Sequence, residues 1–112
     1  MRGYPPIADH GLVGDLQTAA LVSSDGTVDW LCAPRFDSPS VFASLLDRDR
    51  GGHFTVSAKT HRPPVQLYLQ DTAVLVTRFL SEAGVGEVVD FMPVERPERA
   101  TAHHRLVRIL RV

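Results

Sequence analysis

Apolar residues in this chain come in short runs that alternate with polar ones, and turn signals cut the runs off at close intervals. Ser24-Asp25-Gly26, Arg62-Pro63-Pro64, Ser81-Glu82-Ala83-Gly84 and Pro93 are the clearest of these stops. A period of two suits strands with one buried face, and runs this short leave little room for long helices. Residues 16–23 and 27–31 read as a β-hairpin around Asp25-Gly26, with Val28 and Trp30 on one side of the second arm and Thr27 and Asp29 on the other. Residues 53–58, 65–70, 73–80, 85–92 and 104–112 read as five further strands. Ala73-Val74-Leu75-Val76 is apolar on both faces, which places its strand centrally. Gly86, inside a strand pattern, suggests a bulge or a close backbone approach.

Other segments are expected outside strands. Tyr4-Pro5-Pro6 is extended, because adjacent prolines fix φ. Gly11 and Gly14 put Leu12 and Val13 in a turn-rich stretch. One short helix is expected from Ser38 as N-cap and Pro39 in the first turn, with Val41, Phe42, Leu45 and Leu46 as its apolar face and Gly51-Gly52 ending it. Residues 95–101 form a polar, proline-containing connection. The expected fold is all-β, a partial antiparallel β-sandwich with one short helix. The last strand pattern runs to residue 112 without a closing turn. Residues 1–112 are therefore expected to be a single sandwich domain truncated at its C-terminal end, with self-association through its open edges.

Charge and composition exclude several functions. The 112 residues carry 12 basic and 13 acidic side chains, net −1. A basic footprint for nucleic acid is missing overall. The Arg-rich end at Arg105, Arg108 and Arg111 has no interleaved aromatics, and these side chains are expected on a solvated polar face. No apolar run approaches a membrane span, and the first residues lack a signal peptide's apolar core, so a cytoplasmic location is the expectation. Cys32 is the single cysteine and has no intrachain partner; after an apolar strand it is expected to be a small buried residue.

Metal and catalytic motifs are equally sparse. His103 and His104 would point to opposite faces of a strand, and Asp9-His10 has no third ligand in sequence, so no metal or cofactor is expected. Asp29 and Asp37 are conceivable as a carboxylate pair, but hydrogen bonding and local pairing account for them better, and no catalytic residue is assigned.

Several segments are specific. Tyr4-Pro5-Pro6-Ile7-Ala8-Asp9-His10-Gly11-Leu12-Val13-Gly14-Asp15, then Thr18-Ala19-Ala20-Leu21-Val22, Asp25-Gly26-Thr27-Val28-Asp29-Trp30-Leu31-Cys32 and Pro34-Arg35-Phe36-Asp37-Ser38-Pro39-Ser40-Val41-Phe42 follow in order. With Val88-Val89-Asp90-Phe91-Met92-Pro93 and His104-Arg105-Leu106-Val107-Arg108, they resemble the N-terminal domain of bacterial glycoside hydrolase family 15, the trehalase-like and glucoamylase-like proteins. The resemblance implies the front portion of a larger super-β-sandwich, followed in the family by an α/α-toroid that carries two catalytic glutamates. Glu82, Glu87, Glu95 and Glu98 match neither.

The resemblance thus implies a non-catalytic part of an α-glucoside hydrolase, inactive alone, with the toroid as partner and trehalose or a maltooligosaccharide as the parent's substrate. Trp30, Arg35, Phe36 and Asp37 are the candidate rim of the substrate pocket, since an aromatic face beside polar groups suits a sugar. Their plainer alternative is Trp30 in the core and an Arg35–Asp37 pair fixing the loop. A stand-alone carbohydrate-binding module and a structural or interaction β-domain are the other two expectations.

Overall fold

The computed structural model describes residues 4–94 and 103–112. Among the described residues, nine strands form two antiparallel sheets in a sandwich-like arrangement. The first sheet holds β1 (His10–Gly14), β2 (Ala19–Ser23), β3 (Thr27–Cys32) and β4 (Ser40–Phe42) in that order, with β5 (Phe54–Thr55) also paired to β3. The second is a meander of β6 (Val65–Tyr68), β7 (Leu75–Ser81), β8 (Gly84–Phe91) and β9 (Val107–Arg111). No helix among the described residues is long and apolar enough to cross a membrane. Residues 95–101 lie outside the described residues.

The hairpin expected at Asp25-Gly26 is formed, joining β2 to β3. Gly26 takes φ +89, and a Cβ there would stand 2.2 Å from the Val56 carbonyl oxygen, so both the turn and the close approach of the following loop need glycine. Asp25 fixes the turn from its side chain, accepting from the Thr27 N–H and the Ser23 hydroxyl. The first arm is shorter than the apolar run, because Leu16 adopts a left-handed φ of 74 and Asp15 accepts from the Gln17 and Thr18 N–H groups, closing a turn ahead of Ala19. Gly11 and Gly14 do not make a turn; they lie within β1, which pairs residue for residue with β2.

Other expectations are corrected by pairing. The helix after Ser38 is replaced by β4 and tight turns. Phe42 pairs with Leu31 and Ser40 with Cys32, and β-branched Val41 between them suits that extended ladder. The next N–H groups, of Ala43 and Ser44, donate across to the Gly51 and Gly52 carbonyls, away from any helical i−4 partner. Among the described residues, the one helical element is a 3-10 turn at Ile7–Asp9. Gly86 neither bulges nor touches close backbone: β7 and β8 stay in register through it, and a Cβ would find its nearest atom at 3.9 Å.

The bulge sits in β3 instead. Leu21 faces Trp30 while Val22 faces Val28, leaving Asp29 as the extra residue. This lets both Val28 and Leu31 point inward, a spacing of three that strict alternation forbids. The core joins Val13, Ala20, Val22, Val28 and Leu31 of the first sheet to Leu75 and Met92 of the second, with Phe42 and Leu106 packed against it. Polar links also cross between the sheets. The Tyr68 hydroxyl accepts from the Leu12 N–H and donates to the Leu12 carbonyl, while Gln66 Nε2 donates to the Val22 and Ser23 carbonyls.

Candidate functional site

The four residues of the proposed rim are placed by β3 and the loop after it. Trp30 is not core: the bulge turns it to the face of Leu21, and it is half-buried. The register aligns Leu12, Leu21 and Trp30 in one row across β1, β2 and β3, on the opposite face from the buried Val13, Ala20 and Leu31. Leu12 is 53% exposed and ends that row as an apolar side chain in water. Beyond Cys32, which is buried as expected, the loop carries Arg35, Phe36 and Asp37, all exposed, with Phe36 at 72%. The loop is held by the Ser38 N–H donating to the Arg35 carbonyl and the Arg35 N–H donating to the Ser38 hydroxyl. Among the described residues, no ion pair joins Arg35 to Asp37, so Ser38 and not Asp37 fixes the loop.

Three buried carboxylates form links that sequence patterning missed. Asp29, expected on a polar face, is inside, where its Oδ2 lies 2.6 Å from His10 Nε2, and His10 Nδ1 lies 2.9 Å from the Pro6 carbonyl. Asp29 Oδ1 is buried without a hydrogen-bond partner among the described residues. Asp15 pairs with His104, so the segment leading into β9 is tied to the β1–β2 turn. Burial pushes the Asp15 carboxyl up. The hydrogen bonds from His104, the Thr18 N–H and the Gln17 N–H, together with the charge of His104, outweigh it and hold the carboxyl below its ordinary value.

The third link overturns the solvated-arginine expectation. Arg108 is 3% exposed in its side chain and binds Asp90 through Nε at 2.6 Å and Nη2 at 3.2 Å. It also donates to the Gly26 carbonyl at 2.6 Å and the Phe54 carbonyl at 2.8 Å, with its guanidinium 4.8 Å from the centre of the Phe54 ring. One side chain therefore clamps β9 and β8 to the hairpin turn and β5. Asp90 follows Val88-Val89 in β8 and is fully buried, which calls for a cation beside it.

Asp15, Asp29 and Asp90 each hold a cationic or imidazole partner. The outer surface carries an apolar row ending at Trp30, followed in sequence by a polar, aromatic loop.

The family model described as trehalase-like, N-terminal, matches residues 2–111. The chain is 42% identical over 96 residues to a trehalase of Thermoplasma volcanium, covering 83% of this chain and 15% of that protein. It is 44% identical over 82 residues to a trehalase of Mycolicibacterium smegmatis, covering 72% of this chain and 12% of that protein. Against a trehalase of Mycobacterium tuberculosis the identity is 35% over 123 residues, covering 96% and 18%. The chain thus spans less than a fifth of the length of these relatives, and no solved structure matches it. By this match over nearly its whole length, the chain belongs to the trehalase-like N-terminal domain family.

Proposed function

We propose that this chain is the non-catalytic front part of a trehalase-type hydrolase, which packs on an α/α-toroid catalytic domain and shapes the entrance to its α-glucoside pocket. The row Leu12–Leu21–Trp30 carries this reading. It is an apolar stripe on the sheet face turned away from the chain's own core, and such a stripe calls for a partner surface. The loop with Arg35, Phe36 and Asp37 follows directly, and its exposed aromatic and charges of both signs are a combination that suits a pocket rim. The relatives are named trehalases, which supports trehalose as the substrate of the assembled enzyme.

The test is made in the chain joined to its catalytic domain. Arg35→Ala and Phe36→Ala lower kcat/KM for trehalose and leave the melting temperature unchanged. Normal activity with lowered melting temperature would assign these residues to the loop's own structure and refute the rim.

A further inference from the structure

A second concavity, of about 990 Å³, lies between the N-terminal segment, the β2–β3 turn and the loop that follows β5. None of Trp30, Arg35, Phe36 or Asp37 lines it, so it is independent of the proposed rim. Its volume is at the upper end of ordinary ligand pockets, enough for several small rings in a row.

The lining defines the chemistry of an occupant. Hydroxyl side chains recur around it, among them Thr27, Ser44 and Thr55, and Thr27 Oγ1 meets Thr55 Oγ1 at 2.8 Å. Each hydroxyl both donates and accepts. Charges of both signs line it, Asp25 and Asp29 against Arg48, Lys59 and Arg62, so the wall is mixed and does not present a single sign to an occupant. An apolar molecule would strip water from these groups without replacing its hydrogen bonds.

One wall carries a preformed platform. The Tyr4 ring is half-exposed, the Arg48 guanidinium sits 4.7 Å from its centre, and its hydroxyl accepts from the Arg48 N–H at 3.1 Å. A ring fixed at both its face and its hydroxyl loses little freedom when a ligand arrives. The complement of this surface is a neutral molecule with many hydroxyls in both hydrogen-bonding roles and with flat C–H faces. We propose that this groove binds a neutral oligosaccharide.

Titration of the isotope-labelled chain, followed through its backbone amide spectrum, tests this with three probes: maltoheptaose, trehalose and inorganic phosphate. Maltoheptaose gives saturable shifts at Arg48, Thr55 and Lys59 with a Kd on the order of millimolar. Trehalose binds more weakly at the same amides, and phosphate leaves them unmoved. Tyr4→Ala and Arg48→Ala each weaken maltoheptaose about tenfold, whereas Glu82→Ala at the β7–β8 turn does not. Absence of saturable shifts with both sugars, shifts with phosphate alone, or sugar shifts that survive both groove variants would overturn the proposal.

Discussion

His10 is engaged at both ring nitrogens: Nε2 stands 2.6 Å from Asp29 Oδ2 and Nδ1 stands 2.9 Å from the Pro6 carbonyl oxygen. A carbonyl only accepts, so Nδ1 carries a proton and the ring orientation is fixed. The two side chains are 1% and 5% exposed, so the contact joins the start of β1 to the bulge of β3 out of reach of water. His10→Ala leaves Asp29 buried with neither oxygen partnered and is expected to cost about 3 kcal/mol in denaturant unfolding. Adding Asp29→Asn to it removes the stranded charge and recovers part of that loss. A single variant as stable as the parent would show that the pair is not holding the bulge.

Asp15 sets an acid limit to stability. Its carboxyl is held below the ordinary aspartate value of 3.8: burial raises it, but His104 and the Thr18 and Gln17 N–H groups lower it by more. A folded value below the unfolded one means the stabilisation is fully present above the unfolded value and is lost as pH falls through the folded one. Melting temperature therefore drops on acidification below pH 3.8. Asp15→Asn lowers stability at neutral pH and flattens that acid limb. An unchanged acid limb in the variant would refute the assignment.

Arg108 makes contacts that lysine cannot reproduce. Its guanidinium serves Asp90 with two nitrogens while reaching the Gly26 and Phe54 carbonyls. Arg108→Ala strands the fully buried Asp90 and is expected to cost about 3–5 kcal/mol. Arg108→Lys keeps the charge but loses the fork, and most of the loss remains. Chemical denaturation checks both, and full rescue by lysine would contradict the clamp.

Strand β9 is an open edge among the described strands, and Ile109 and Leu110 are exposed on it. Unpaired backbone beside apolar side chains recruits another strand. The 112-residue chain by itself is expected to associate with rising concentration in light scattering, and Ile109→Lys to shift it toward monomer. A concentration-independent monomer would show that the edge is closed in solution.

The strand pattern, the Asp25-Gly26 hairpin and the sandwich class were legible in the sequence because period-two alternation and turn chemistry are local. The bulge was not, because alternation through Thr27–Cys32 looks regular until Val28 and Leu31 must both face inward. With that one register shift, Trp30 stands on the face of Leu21, away from Leu31, and Asp29, a supposed surface acid, is buried against His10. The residues 38–50 misled for the opposite reason. A capping serine and an i, i+4 apolar spacing favour a helix locally, but pairing with β3 over Leu31 and Cys32 prevails in the fold. Arg108 and His104 were unreadable as partners because their carboxylates lie 18 and 89 residues away in the chain.

The proposed role is that of a non-catalytic front part of a trehalase-type hydrolase. The direct measurement is glucose release from trehalose by the purified chain, alone and mixed with the remainder of a trehalase lacking its own N-terminal region. No glucose is expected from the chain alone, and activity is expected to rise when the two are combined. Turnover by the chain alone, or a remainder equally active without it, would rule out the proposed role.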